Sequence, residues 1–372
     1  MKDKFLKLSE ENQLVGSTLI VVNGNDTKEL AYGYASLEKQ APMSVDTVFR
    51  IASISKTVAA TGIMKLYEEG KIDLEADISN YLGFTVRNPH HPNIPITLTM
   101  IMTQTSSITD GKDESYNNTT NGYNGVNGTK EEVSLQDLLQ EDGKYYIPET
   151  FDTDLPGTHF IYSNFNCGIM TCIIEHVTGK YFTEYIREVI LLPLGLDASF
   201  DIKDIKSRNI ASLYDPEKGK IELMRDYDMF MEKRYPSFPL GENFRGPAGG
   251  LFISPRDLTV FMRMLMNRGY PLFKPETIDL MLDKHWEGTE EAGYYRAKGL
   301  QVLLLDHYGC LLKGHFGDAY GVRSFMLFNE EKQIGIIYMT NGGMYERRSI
   351  GIDNVQDEII KAFLEKYWHE NN

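Results

Sequence analysis

The chain has 372 residues and a net charge of −15, with 42% hydrophobic and 24% charged residues. That length can bury a sizeable core and suits two or three domains, while the acidic balance argues against a nucleic-acid partner or an anionic membrane surface. No apolar run approaches the roughly 18 residues that span a bilayer, and Cys167, Cys172 and Cys310 have neither metal-ligand spacing nor the makings of a disulfide framework.

The first residues, Met-Lys-Asp-Lys-Phe-Leu-Lys-Leu-Ser-Glu-Glu, lack a hydrophobic signal core. The expectation is a cytoplasmic protein as the chain stands, or an extracytoplasmic one if a leader has been trimmed. Phe5, Leu6 and Leu8 predict a short opening helix. Ser17-Thr-Leu-Ile-Val-Val and Lys28-Glu-Leu-Ala-Tyr-Gly-Tyr read as two strands around the turn Asn23-Gly-Asn-Asp. Ala59, Ile63, Leu66 and Tyr67 then recur at helical spacing on an amphipathic helix that begins near Ser53 and stops at Gly70.

Residues 71–110 are broken by Pro89, Pro92 and Pro95, and residues 111–130 read as a long polar loop. A strong helix follows around Ile169–Val177, ended by Gly179, and another at 255–268 with Ser254 and Pro255 in cap and first-turn positions. Near the end, Val322-Arg-Ser-Phe-Met-Leu-Phe and Gln333-Ile-Gly-Ile-Ile-Tyr-Met-Thr form strands joined by the turn at Asn329. A closing helix carries Val355, Ile359, Ile360, Phe363, Leu364 and Tyr367. Both ends therefore belong to one antiparallel sheet flanked by helices, with a mainly helical region inserted between them: an α+β fold. The expected division is a sheet domain from residues 1–75 and 180–372 and a helical domain from 76–179, with the site in the cleft between them.

Three segments carry chemistry. Ser53-Ile-Ser-Lys56 places a hydroxyl and an amine one turn apart at a helix start, where outward backbone N–H groups and the positive helix end favour an oxyanion. Lys56 can take the serine proton. The competing reading of Ser53 is an ordinary helix cap. The pattern alone says little, since Ser36-Leu-Glu-Lys39 matches it too. Leu155-Pro-Gly-Thr-His-Phe-Ile-Tyr-Ser-Asn brings Tyr162 and Asn164 onto a turn before a helix, a phenol to relay a proton and an amide to hold lysine or substrate. Lys313-Gly-His-Phe-Gly-Asp places His315 at a strand edge, Gly317 where another backbone can approach, and the N–H of Asp318 opposite that of Ser53. Arg245-Gly-Pro-Ala-Gly-Gly is a tight bend, silent unless it lines the cleft. His90-His91 reads as a solvated loop, Asn117, Asn118 and Asn127 match the glycosylation sequon, and no metal or cofactor site is indicated.

Ser53-x-x-Lys56, Tyr162-Ser-Asn164 and His315-x-Gly317, in that order, resemble the three motifs of penicillin-recognising serine hydrolases. The branch they resemble holds class C β-lactamases, D-alanyl-D-alanine carboxypeptidases, D-aminopeptidases and related esterases. Thr47-Val-Phe-Arg-Ile-Ala-Ser, Pro193-Leu-Gly-Leu and Ala248-Gly-Gly-Leu extend the resemblance over residues 15–345. It implies a β-lactamase/transpeptidase-like fold, an acyl-enzyme on Ser53, Lys56 and Tyr162 as the proton carriers, and Asn164, His315, Gly317 and Asp318 at the substrate. No cofactor is implied, and the partner is a small molecule or short peptide.

Several positions depart from the pattern. Histidine at 315 resembles the carboxypeptidase and aminopeptidase branches more than the lactamases. Asp318 stands where a hydroxyl residue often holds the substrate carboxylate, and Gln104 and Ser107 stand where relatives commonly show histidine and glycine. Slow acylation by penicillin is therefore expected over efficient lactam hydrolysis. The rival readings are an esterase using the same site and a non-hydrolytic penicillin-binding sensor.

Overall fold

The computed structural model describes residues 1–111, 121–217, 220–289, 295–346, 348 and 352–368. Its centre is a nine-stranded sheet, antiparallel at every pairing. Across it the strands run Ala41–Pro42, Asp26–Ser36, Gly16–Asn23, Ile334–Thr340, Val322–Asn329, Cys310–Ala319, Leu303–His307, Ala297–Lys298 and Trp286–Glu287. Both ends of the chain supply this sheet, as the alternating apolar runs predict. Among the described residues none of its strands comes from residues 43–285, which hold most of the helices.

The opening helix Lys2–Glu11 and the closing helix Asn354–Tyr367 cover one face of the sheet. Phe5, Val355, Ile359 and Phe363 pack there on Leu19, Leu312, Phe325, Ile336 and Tyr338. The other face packs on helix Ile54–Glu68, which in turn packs on helix Asn164–Thr178. Gly179 ends the latter in the left-handed conformation, φ +67°. Helix Pro255–Met266 starts as predicted, Ser254 Oγ accepting from the N–H of Asp257 at 3.0 Å.

Some expectations need correction. Helix Ile54–Glu68 is not amphipathic in effect: twelve of its fifteen residues are buried, because sheet and helices close round every side of it. Residues 111–130 are not one loop. Helix Gly122–Asn127 lies within them, held by Tyr123 stacking on Phe165 with centroids 4.8 Å apart. The sequons at Asn117 and Asn118 lie outside the described residues, while Asn127 is the last residue of that helix. Lys313–Ala319 is not a lead-in to a strand but the body of strand Cys310–Ala319, so His315 sits inside the sheet and not at an edge. Gly314 and Gly317 conceal that strand in the sequence. No helix among the described residues is long and apolar enough to cross a membrane.

Candidate active site

Strand Phe49–Arg50 runs into Ile51, whose N–H donates to the carbonyl of Leu251 at 3.0 Å. Ala52 then takes φ +51°, a conformation that L-residues adopt at a cost, and the chain turns abruptly into the helix at Ser53. Ser53 occupies the cap position, yet its side chain makes no capping hydrogen bond. Its Oγ instead accepts from Lys56 Nζ at 3.0 Å. The ordinary-cap reading is thereby excluded.

Lys56 has no exposed surface. Besides Ser53, its amine donates to the carbonyl of Ala248 at 2.9 Å and lies 4.8 Å from the centroid of the Tyr162 ring. No carboxylate pairs with it among the described residues. The bend at Arg245–Gly250 therefore does line the site, through the backbone of Ala248.

Gly317 packs directly on this turn. A Cβ there would meet the carbonyl oxygen of Ile51 at 2.5 Å and Ala52 Cβ at 3.3 Å. Only glycine lets strand Cys310–Ala319 come this close to Ile51–Ala52. The Asp318 side chain is exposed and pairs with Arg323, its cross-strand partner in register. The acid is thus tied to a cation across the strand.

His315 is buried, and its Nδ1–H donates to the carbonyl of Phe316 at 2.6 Å. A carbonyl can only accept, so Nε2 carries the free lone pair, buried with no partner. Burial, then the nearby amines of Lys298 and Lys56, hold this imidazole well below its usual pKa, so the ring is neutral. Its centroid lies 6.4 Å from that of Tyr162.

Lys298 is the residue that sequence reasoning missed. It sits on the two-residue strand Ala297–Lys298, fully buried, with no hydrogen-bond partner for its amine. The amine is 5.6 Å from the Tyr295 centroid and 5.9 Å from that of Phe160, and Tyr295 packs 5.3 Å from Tyr162. Burial first, and the amine of Lys56 second, lower its pKa to about 7. Nothing in Arg296-Ala-Lys-Gly marks this position as part of a site. Lys56, Lys298 and His315 together make a buried group of nitrogen bases without a carboxylate pairing any of them among the described residues.

The tyrosine turn is clamped from a distance. Asp110 accepts from Ser163 Oγ, Asn164 Nδ2 and the Phe165 N–H, each at 2.8 Å. Gln104 Oε1 accepts from the Ser163 N–H at 3.0 Å and from Asn166 Nδ2 at 2.9 Å. The structure thus brings Ser53, Lys56, Tyr162, His315 and Gly317 into one neighbourhood, and it commits the Asn164 amide to Asp110. Gln104 has a clear task in this clamp. Ser107 stands at φ +63°, the left-handed region where glycine is easiest, and its Oγ accepts from Asn88 Nδ2 at 2.9 Å. His91 contacts the carbonyl of Thr153, and the described residues contain no cluster suited to a metal ion.

The family model described as Beta-lactamase matches residues 1–357. Protein flp of Staphylococcus aureus is 26% identical over 328 residues, 87% of this chain; the chain spans only 59% of the length of that relative. The D-amino acid amidase of Ochrobactrum anthropi, solved with L-phenylalanine amide, superposes with a TM-score of 0.73 at 22% identity, covering 100% of this chain and 99% of that one. EstCE1, a hydrolase with promiscuous acyltransferase activity, gives 0.72 at 20% identity, covering 97% and 98%.

Proposed function

The chain belongs to the β-lactamase family of serine hydrolases, and on that premise we propose that Ser53 is its nucleophile in acyl-enzyme hydrolysis of amides built on D-amino acids. The observation that carries this reading is the Lys56 amine, wholly buried, 3.0 Å from Ser53 Oγ and without a carboxylate partner among the described residues. Held between Ser53 Oγ and the Ala248 carbonyl, the amine is in position to take the serine proton.

In the first step the Ser53 hydroxyl donates its proton to the lone pair of Lys56 as Oγ bonds to the substrate carbonyl carbon. The carbonyl π electrons move to oxygen, and the N–H groups of Ser53 and Asp318 receive that oxyanion, aided by the helix end. On collapse, the carbon–nitrogen bond breaks and the leaving amine takes the proton from Lys56 by way of the Tyr162 phenol. Water then adds to the ester by the reverse proton path, freeing the acid and the serine. The Ala248 carbonyl keeps the amine aimed at Oγ throughout. His315, neutral, offers Nε2 as an acceptor to a substrate N–H.

The whole-chain likeness to a D-amino acid amidase supports the amide reading, and the likeness to EstCE1 supports an esterase with the same site as the alternative. The Asp318–Arg323 pair favours the ester over a substrate whose carboxylate must dock at residue 318. Incubation with fluorescent penicillin, followed by mass spectrometry, should show an adduct on Ser53, and D-phenylalanine amide should be cleaved. Cleavage of nitrophenyl acetate without amide cleavage would transfer the assignment to the esterase. No adduct and no turnover of any of the three would remove the enzymatic reading.

A further inference from the structure

A cavity of about 660 Å³ has Arg50, Gly246, Pro247 and Gly250 among the residues that line it. Arg50 is three residues before Ser53, and the other three flank the Ala248 carbonyl that holds Lys56. The cavity therefore borders the chain segments that carry the reacting groups, while Ser53, Lys56 and Ala248 are themselves outside its lining. Tyr162, Asn164, His315 and Lys298 do not line it. Tyr162, assigned above to the leaving amine, has no part in the cavity, and the acyl portion of a substrate is the part assigned to it here.

Three guanidinium groups meet at this end. Arg50 and Arg225 lie on the Tyr320 ring, 5.1 Å and 5.0 Å from its centroid. Arg245 is 6% exposed and lies on Phe238 and Phe244 at 4.6 Å and 4.5 Å. Its Nε and Nη2 donate to the carbonyls of Val126 and Glu131, while Nη1 is buried with no partner. The Tyr235 phenol is pushed up by burial and pulled back by Arg50 and Arg245, so both cations face it. No carboxylate forms an ion pair with Arg50, Arg225 or Arg245 among the described residues. Five acids also line the cavity: Asp201 pairs with Arg234 and Glu188 with Lys180, Asp204 accepts from Ser199 Oγ, Glu175 accepts from the N–H groups of Phe182 and Gly241, and Glu184 stands among them.

In a chain of net charge −15, three guanidiniums lining one cavity without an ion-pair partner among the described residues repel one another and are stabilised when an anion arrives. Their planar forks suit a carboxylate, which accepts two parallel N–H bonds. We propose that this cavity is a carboxylate subsite: Arg50, Arg225 and Arg245 receive an acid group carried on the acyl part of the substrate, as in the α-amide of an acidic D-amino acid. The inference rests on the acyl-enzyme reading for its polarity, and its test does not require turnover.

The test uses the full chain carrying Ser53→Ala, with binding measured by calorimetry. Two probes differ only in one charge: the α-amide of D-glutamate, and the diamide in which the side-chain carboxylate is also an amide. The charged probe should bind about tenfold tighter or better, the scale of a charge-assisted hydrogen bond. Adding Arg225→Gln should bring the two within about threefold, and Arg225→Lys should keep most of the preference. Circular dichroism confirms that each variant is folded. Equal binding of the probes, binding of neither at millimolar concentration, or a preference untouched by Arg225→Gln would each overturn the subsite. The hydrolase reading stands or falls separately, on the Ser53 adduct.

Discussion

The two faces of the central sheet are built on opposite terms. Under the terminal helices, apolar side chains alternate inward and the closing helix starts on a complete capping box. Asp353 there accepts from the N–H of Gln356 at 2.7 Å, and Gln356 Oε1 accepts from the N–H of Asp353 at 3.2 Å. Against helix Ile54–Glu68 the same strands meet two wholly buried lysines, a histidine with an unpaired nitrogen and an alanine at φ +51°. Each of these lowers stability, and each sits at the proposed site. One face is mostly apolar, its conflicts confined to atoms such as the buried, unpartnered Tyr338 hydroxyl. The other keeps local conflicts that an ordinary core would have removed, and such conflicts concentrate where chemistry is done.

Substitutions on the two faces should therefore separate activity from stability. Ser53→Ala should lower turnover by about a thousandfold or more and abolish the penicillin adduct, leaving the thermal midpoint nearly unchanged. Retention of the adduct would move the nucleophile elsewhere.

Lys298→Met should stabilise the fold by roughly 4 kcal/mol near pH 7, because a pKa of about 7 in the native state stands against about 10.4 in the unfolded chain. The sign follows from which state takes the proton first. As pH falls below about 10 the unfolded lysine protonates while the buried one does not, so the burden grows down to about pH 7 and then levels. The advantage of methionine should shrink toward zero by pH 10.5 in calorimetric scans; a gain of equal size at both pH values would show that repacking, not charge, is responsible.

Tyr162→Phe should reduce kcat/KM about a hundredfold with little change in stability, the size of a lost proton relay. An unchanged rate would leave Lys56 to act alone. On the quiet face, Asp353→Ala should cost about 1 kcal/mol in denaturant unfolding and leave acylation by penicillin as it was. A loss of acylation there would mean that the two faces are coupled.

The same contrast accounts for what could be read without coordinates. Val322–Phe328, Gln333–Thr340 and the closing helix obey simple periodicity, and Ser254-Pro255 announces its helix, so those elements appear where predicted. Strand Cys310–Ala319 was concealed by glycines chosen for close approach and not for strand formation. Helix Gly122–Asn127 was hidden in polar residues, since its stability comes from Tyr123 on Phe165. At the site, short motifs carried Ser53, Lys56 and Tyr162. Lys298 carried no motif: its meaning depends on burial and on neighbours more than a hundred residues away, and no local pattern encodes that. Asp110 and Gln104 were likewise invisible as clamps, because their partners at 163–166 lie some fifty or sixty positions downstream.

Gly317 leaves the floor of the crevice no latitude. With the Ile51 carbonyl 2.5 Å from where any side chain would begin, the spacing between strand and Ser53 turn cannot be widened or narrowed by substitution. Evolution or a protein engineer seeking new selectivity must then work on the walls, at Arg50, Tyr320 and the 245–250 bend, while the bottom is inherited unchanged.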